Sequence, residues 1–336
     1  MTPVATFCIY CYNEEKNIRA AIESALSQTY TPLEIVLSDD GSTDSTYAIM
    51  CEIASKYNGP HTILLNRNTK NVGIGGQINK ILAISNGEII IFGGGDDISY
   101  PRRTERIVRA WLESGKKYHS FFSDADLIDG NSSIVEGKKL DTQTPFIDLA
   151  ASIENRFQGV FGATQAMTRE VWSEFGPFMP TLKLEDNAIL LRAALLGGYQ
   201  HLPEKLVKYR VHQGNTCRIA AGEKDFQAWE KQLLWFHSES LKVHVQFMTD
   251  MFSTQAALWD SQDIAKARRA SIGRMLIHGA LADYYTNERQ RSILHYWTIL
   301  FSAARELLKL SIKSILPFID RKNAKRSFLS RSRNAY

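Results

Sequence analysis

The chain is poor in the features that mark several classes of protein. It has four cysteines in 336 residues, too few for a disulfide framework at this length. No stretch is long and apolar enough to span a bilayer, and the N-terminus lacks the basic start and apolar run of a signal peptide. The absence of Gly-x-x-x-x-Gly-Lys excludes a P-loop enzyme. We therefore expect a protein of the cytoplasm, peripheral to the membrane at most.

Cys8 and Cys11 have a C-x-x-C spacing, but the sequence around them is typical of a strand. Positions three apart on a strand point to opposite faces, so these thiols are poorly placed for a redox pair or half a zinc site. We interpret them as buried small residues.

Net charge is small and most of it lies at one end. The formal charge is +4, while residues 320–336 alone carry six Arg or Lys against one Asp. Such asymmetry is typical of a basic tail that contacts an acidic surface. Residues 293–319 alternate apolar and basic groups at helical spacing, which fits either an anionic membrane surface or packing on the rest of the protein. Basic residues are not interleaved with aromatic ones, so we expect no nucleic-acid partner.

From residue 4 to about residue 123, strand-like and helix-like segments alternate. Strands linked in this way by helices require a doubly wound, mainly parallel, Rossmann-like α/β sheet. Asn13 is predicted to cap the first helix. The alternation stops near Gly222, and residues 225–314 are typical of helices. We predict an α/β domain over residues 1–222 and a helical region with the basic tail over residues 223–336. The predicted strands are residues 4–11, 33–37, 61–65, 88–92 and 118–123.

A pair of carboxylates follows the most apolar of these strands, in the run Ile89-Ile90-Ile91-Phe92-Gly93-Gly94-Gly95-Asp96-Asp97. Ligands of open α/β sheets bind beyond the carboxyl ends of the strands, and the three glycines leave room for a diphosphate. The same residues are also common in ordinary polar turns. The pattern alone leaves both interpretations open.

Six segments, taken together and in order, resemble the family 2 glycosyltransferases of GT-A fold. The resemblance covers about residues 3–217, and its most specific part is the run from Asp39 to Asp44. The six segments are Cys11-Tyr12-Asn13-Glu14-Glu15; Ser38-Asp39-Asp40-Gly41-Ser42-Thr43-Asp44; Asn71-Val72-Gly73 with Asn79; Gly94-Gly95-Asp96-Asp97 with Pro101; Leu184-Glu185-Asp186 through Arg192; and Tyr209-Arg210-Val211-His212-Gln213-Gly214-Asn215-Thr216.

The resemblance implies an inverting, metal-dependent enzyme that moves a sugar from a nucleoside diphosphate to a hydroxyl group. UDP is the expected nucleotide, and the acceptor is expected to be a saccharide or lipid-linked saccharide in surface polysaccharide biosynthesis. Tyr12, Glu14 and Asn71 would contribute to nucleotide binding, since a ring can stack on a base and a carboxylate can accept ribose hydroxyls. Asp40 would accept the N3 proton of uracil.

The resemblance further implies a Mn²⁺ or Mg²⁺ ion at Asp96, because these hard cations prefer carboxylate oxygen and need only one or two protein ligands. His212 is either a further ligand or a hydrogen-bonded structural residue. The chain departs from the family at Gly94, where the usual Asp-x-Asp-Asp run has its first aspartate. This departure puts donor affinity or identity in doubt, and it motivates an alternative, a sugar-nucleotide-binding scaffold that has lost turnover.

Asp186 would be the general base that takes the proton of the acceptor. Glu185 and Gly162 are expected on the acceptor side. Two carboxylates at a helix start also favour the helix dipole, so a structural role for the pair is compatible with the catalytic one.

Overall fold

The computed structural model describes residues 2–135, 162–211, 226–253, 267 and 269–279. The chain divides into two compact units. The first is Met1–His212 with Phe252–Trp259, and the second is Gln213–Met251 with Asp260–Tyr336. The boundary predicted at Gly222, the ligand candidate His212 and the basic tail all lie outside the described residues. These three expectations therefore stay predictions.

The described residues of the first unit form a sheet of eight strands in the order β3-β2-β1-β4-β7-β6-β8-β5. The strands are β1 Ala5–Cys11, β2 Leu33–Asp39, β3 Thr62–Arg67, β4 Ile89–Gly94, β5 Ile98–Ser99, β6 Ser120–Ile128, β7 Ala166–Thr168 and β8 Tyr199–Arg210. The helices are α1 Ile18–Leu26, α2 Thr46–Lys56, α3 Gly73–Ile84, α4 Arg103–Glu113, α5 Glu170–Ser173 and α6 Glu185–Leu196, with a 3₁₀ turn at Gly162–Thr164.

Half of this sheet is parallel, as the alternating sequence predicts. Strands β3, β2, β1 and β4 pair side by side in parallel, with Tyr10 of β1 opposite both Ser38 and Gly94. The other half is mixed, because β7 runs antiparallel to both β4 and β6, while β6 and β8 are parallel. The carboxyl ends of β1, β2 and β4 therefore open onto one edge of the sheet.

The core lies on both faces of the parallel strands. Every residue of β2 is buried, and Ile89, Ile90 and Ile91 are fully buried on β4. Burial of each such side chain contributes about 1.5–3 kcal/mol to the stability of the fold. The ends of these strands are therefore held in fixed positions by the core. Cys8 and Cys11 are buried free thiols within β1, which confirms their interpretation as packing residues.

The described part of the second unit is helical, as predicted. Helix α7 spans Phe226–Ser253, and residues 269–279 form another helix. The two helices contact each other at His237 and His278, whose Nδ1 atoms are 2.9 Å apart. Over the described ranges, we find no helix with the length and apolar character needed to cross a membrane.

Candidate active site

Asp40 lies at the end of β2 and is held by three N–H donors. Its Oδ1 accepts hydrogen bonds from Asn68 Nδ2 at 2.8 Å and from the Val72 amide at 2.9 Å, and its Oδ2 accepts one from the Gly73 amide at 3.0 Å. A carboxylate can accept about four hydrogen bonds, so a further donor from a ligand fits this geometry. Asn71 acts on the same loop, since its Oδ1 accepts the Gly73 amide at 3.1 Å.

The segment after β1 is pinned to the loop after β2. The amide of Asn13 donates to Ser42 Oγ at 2.8 Å, and its side-chain oxygen accepts from the Thr43 amide at 2.9 Å. Asn13 has a φ of 56°, and α1 begins only at Ile18. The predicted helix cap at Asn13 is therefore wrong, because its side chain binds the neighbouring loop instead. This anchoring leaves Tyr12 exposed beside the strand ends, with 44% of its surface accessible.

Asp96 and Asp97 converge over Gly94 in the turn of residues 94–97, which we call the Asp96–Asp97 turn. A Cβ atom built on Gly94 would lie 2.7 Å from Asp96 Oδ1 and 3.1 Å from Asp97 Oδ2. A Cβ atom on Gly95 would lie 3.2 Å from Glu14 Cγ. The acidic side chains of Glu14, Asp96 and Asp97 therefore all border this turn.

Arg210 holds this turn against β8. Its backbone amide donates to Asp97 Oδ1 at 2.8 Å, and its Nε donates to the Asp96 carbonyl at 2.8 Å. Burial raises the pKa of Asp97 well above its ordinary value, and the neighbouring Asp96 charge raises that pKa further. Two carboxylates this close together disfavour a second negative charge, which either a proton or a bound cation can offset.

The two carboxylates of the Asp96–Asp97 turn fit a hard divalent cation that takes most of its ligands from phosphate and water. Among the residues that the structure describes, no group of three or more His, Cys, Asp or Glu side chains could hold a metal ion. Mg²⁺ and Mn²⁺ in phosphate sites commonly use one or two carboxylates and fill the remaining positions with phosphate oxygen and water. Asp96 and Asp97 satisfy that requirement.

Glu185 and Asp186 begin α6 and face Gly162. A Cβ atom on Gly162 would lie 3.3 Å from Glu185 Oε1 and 3.7 Å from Asp186 Oδ2. The amide of Asn187 donates to Asp186 Oδ1 at 2.8 Å. The three residues predicted for the acceptor side are therefore brought together.

Burial gives this second pair of carboxyl groups unusual proton affinities. It raises the pKa of Glu185 to about 8, with a further contribution from the Asp186 charge. It raises the pKa of Asp186 to about 6, against the lowering effect of the Asn187 and Gly162 amides. Of the two groups, Glu185 holds its proton more tightly, so Asp186 is the member better able to be ionised and to take a proton.

Tyr10 stands between the two carboxylate pairs, and the sequence analysis missed it. Its hydroxyl donates to Glu185 Oε1 at 3.4 Å, while its backbone lies opposite Gly94 in the β1–β4 register. Burial raises its pKa well above the ordinary value, as do the charges of Glu185, Asp186 and Asp97. The available signal was a single hydroxyl-bearing ring near the end of an otherwise apolar strand.

Comparison with known proteins shows the family to which this chain belongs. The family model described as glycosyl transferase family 2 matches residues 6–132. An uncharacterized glycosyltransferase of Nostoc sp. is 30% identical over 231 residues, which are 66% of this chain and 69% of that protein. The succinoglycan biosynthesis protein ExoO of Rhizobium meliloti is 28% identical over 225 residues, covering 65% of this chain and 63% of its own length. The putative glycosyltransferase EpsE of Bacillus subtilis is 35% identical over 116 residues, covering 34% and 41%.

Solved structures show the same fold at low sequence identity. TarS of S. aureus has a TM-score of 0.57 and 16% identity, covering 98% of this chain and 54% of its own. This chain therefore spans about half the length of TarS. The mannosyltransferase PcManGT of Pyrobaculum calidifontis, solved with GDP-Man and Mn²⁺, has a TM-score of 0.54 and 17% identity, covering 96% and 88%. The expected GT-A fold class is confirmed.

Proposed function

Because this chain belongs to glycosyl transferase family 2, we propose that it moves a sugar from a nucleoside diphosphate, with UDP as the nucleotide, to a hydroxyl group of a saccharide or lipid-linked saccharide. The observation that carries this proposal is the placement of two carboxylate pairs on either side of Tyr10. One pair suits a diphosphate with its cation, and the other suits removal of a proton from an acceptor. The match to a succinoglycan biosynthesis protein supports surface polysaccharide biosynthesis as the setting.

At the donor end, Asp40 accepts a hydrogen bond from N3–H of uracil. The N–H groups of Asn68, Val72 and Gly73 keep the carboxylate in place. The exposed ring of Tyr12 stacks on the base, and Glu14 accepts ribose hydroxyls. Asn71 contributes by shaping the loop whose amides bind Asp40. The solved complexes of TarS with UDP and UDP-GlcNAc support this type of donor.

Asp96 is the residue we assign to Mn²⁺ or Mg²⁺, with Asp97 beside it and His212 as a further candidate ligand. Asp96 would hold this cation, which would supply positive charge to offset the negative charge on the leaving diphosphate. Arg210 contributes by keeping the Asp96–Asp97 turn in one position. The Mn²⁺ in the PcManGT complex supports this assignment.

At the acceptor end, Asp186 removes the proton from the attacking hydroxyl. The oxygen forms a bond to the anomeric carbon from the side opposite the diphosphate, while the bond between that carbon and the diphosphate oxygen breaks and the nucleoside diphosphate leaves, so the configuration at that carbon is inverted. Glu185, protonated and in contact with the Tyr10 hydroxyl, adds no second negative charge next to the base. A side chain at position 162 would crowd both carboxyl groups, so a glycine there suits the approach of an acceptor.

A second candidate function is binding of a sugar nucleotide without transfer, and Gly94 is the observation that favours it. The family's usual aspartate is missing there, which removes one carboxylate from the donor site. Asp96, Asp186 and His212 are all retained in the sequence, so we favour the enzyme.

A thermal-shift screen of nucleoside diphosphates and their sugars, with and without Mn²⁺, tests the proposal. A ligand at about 100 times its Kd stabilises the folded state by about 2.7 kcal/mol, which raises the melting temperature measurably. We expect UDP and a UDP-sugar to respond, followed by Mn²⁺-dependent release of UDP when acceptor extracts are added. Response of the melting temperature without any release would support the scaffold. No response to any nucleotide would overturn both functions.

A further inference from the structure

Arg103 is a fully buried cation at the start of α4, six residues beyond Asp97. Its side chain has no accessible surface. Nη1 donates to Ser99 Oγ at 2.9 Å, while Nη2 donates to the carbonyls of Ala163 at 2.9 Å and Gln165 at 3.3 Å. The guanidinium group therefore joins the chain just after the Asp96–Asp97 turn to the segment of residues 162–165.

Segment 162–165 is bound from its other side to the start of α6. Gln165 Nε2 donates to the Asp186 carbonyl at 3.1 Å and to Ser120 Oγ at 3.2 Å. The Gln165 amide donates to the Gly162 carbonyl at 3.0 Å, which closes the turn. A continuous chain of hydrogen bonds thus runs from Ser99 through Arg103 and Gln165 to the backbone of Asp186.

The position of this segment controls the space above the proposed base. Gly162, its first residue, is the one whose Cβ would lie 3.7 Å from Asp186 Oδ2 and 3.3 Å from Glu185 Oε1. A shift of the segment by one ångström would therefore change the separation between Gly162 and both carboxyl groups, where the acceptor hydroxyl is proposed to bind. Misplacement of that size can reduce a reaction rate by about 100-fold.

We propose that Arg103 is a positioning residue for the acceptor step, and this inference rests on the proposed function. It touches neither donor nor acceptor. It holds segment 162–165 at a fixed distance between the donor-side turn and Asp186, so that the acceptor hydroxyl meets the base. A guanidinium group suits this task because its rigid fork can bind Ser99 and two carbonyls at once.

Arg169 provides a matched control. Like Arg103, it binds backbone carbonyls, although it is only partly buried. Its Nε donates to the Gly87 carbonyl at 2.7 Å and its Nη1 to the Leu82 carbonyl at 3.0 Å. These partners precede β4, at the end of the strand away from Asp96. Loss of Arg169 should therefore lower stability without moving segment 162–165.

The experiment compares Arg103→Met, Arg103→Lys and Arg169→Met in the full chain. We expect Arg103→Met to lower kcat by about 10- to 100-fold while the donor Kd stays within about threefold, since the hydrogen bonds of Arg103 go to Ser99 and segment 162–165 and to none of the residues assigned to the nucleotide. Arg103→Lys should lie between Arg103→Met and the wild type, because lysine keeps the charge but loses the fork. A kcat loss no greater than that of Arg169→Met, or an equal loss of donor affinity, would overturn the proposal.

A second variant decides the matter if Arg103→Met does not fold. Gln165→Leu has a similar volume and removes the bonds to Asp186 and Ser120, so we expect the same fall in kcat with donor affinity unchanged. The double variant Arg103→Lys with Gln165→Leu should lose less than the two single losses combined, because both act through one segment. Wild-type kcat in Gln165→Leu would contradict the inference.

Hydrogen exchange separates this inference from the proposed function. Arg103→Met should speed amide exchange in residues 162–165, whereas Arg169→Met should not. If the wild type transfers no sugar from any donor, the proposed function fails, but the exchange rates still test whether Arg103 holds the segment. Unchanged exchange in Arg103→Met would refute the inference even in an active enzyme.

Discussion

Asp40 at the donor end and the Glu185–Asp186 pair at the acceptor end are held in different ways. At the donor end, in the parallel half of the sheet, Asp40 is fixed by three N–H donors from Asn68, Val72 and Gly73. At the acceptor end, Glu185 and Asp186 are buried at the start of α6, and burial raises the pKa of both. The first arrangement suits a group that must keep one position, and the second suits a group that gains and loses a proton.

This difference follows from what each carboxylate has to do. A group that recognises a base must keep one position and one charge, and backbone amides supply both. A general base works best when its pKa lies near the working pH, and burial is the means of raising a carboxyl pKa. The contrast predicts different failures when each end is altered.

The largest effect is expected from Asp186→Asn. We expect kcat to fall by about 100- to 10,000-fold, because an amide cannot take the acceptor proton. UDP affinity should stay within about threefold of the wild type, measured by calorimetry. Asp126→Asn, which alters an aspartate bonded to Lys205 on the same sheet, is the control and should keep transfer activity. Turnover of Asp186→Asn near the wild-type rate would remove this residue from the role of base.

Asp40→Asn should damage the donor end instead. The new NH₂ group would face the Gly73 amide, and the single remaining oxygen, already bonded to Asn68 and Val72, would be a poorer acceptor for the N3–H of uracil, so we expect UDP binding to weaken by about 10- to 100-fold. Stability should also fall by about 1–3 kcal/mol, since the partly buried Gly73 amide loses its acceptor. Calorimetry of UDP and chemical unfolding measure the two effects, with Asp186→Asn as the matched control for binding. Unaltered UDP affinity would show that Asp40 only holds its own loop.

The smallest expected effect is on the pH dependence of stability. The folded pKa of Glu185 is about 8, above its ordinary value of 4.5, so the folded state binds this proton more tightly than the unfolded state does. Its contribution to stability is therefore complete below about pH 4.5 and is lost as the pH rises towards 8. The unfolding free energy of the wild type should therefore fall between pH 5 and pH 8. In Glu185→Gln, which has no proton to lose at this position, that fall should be smaller by at least about 1 kcal/mol.

Unfolding in urea at several pH values measures this effect. Glu23→Gln, an exposed change on α1, should keep the wild-type pH dependence. A parallel pH profile for Glu185→Gln and the wild type would mean that Glu185 does not titrate in this range.

The donor end could be predicted from the sequence because its residues follow strands in local patterns. The apolar run 89–92 and the turn residues after it indicate a buried strand with Asp96 at its end, and the parallel order places this end at the same edge of the sheet as Asp40, with β1 between the two strands. Even here, the prediction at Asn13 failed. An N-cap residue and a residue that binds a neighbouring loop have the same sequence signature, and only the loop of Ser42 and Thr43 distinguishes them.

The acceptor end depended on contacts that no local pattern encodes. Tyr10 meets Glu185 across 175 positions of sequence, and Arg103 meets Ala163 across 60. The mixed order of β7, β6 and β8 decides those contacts, and strand spacing alone does not specify that order. The roles of Glu185, Asp186 and Gly162 came from family resemblance, and the structure adds how closely the three lie together.

Calorimetric titration of UDP, in Mn²⁺ and in EDTA, tests most directly the claim that the Asp96–Asp97 turn binds a diphosphate together with its cation. We expect wild-type affinity to be at least about tenfold higher in Mn²⁺, and Asp96→Asn to lose most of that gain while it remains folded. Equal affinity for UDP in Mn²⁺ and in EDTA, or a full gain in Asp96→Asn, would contradict the account.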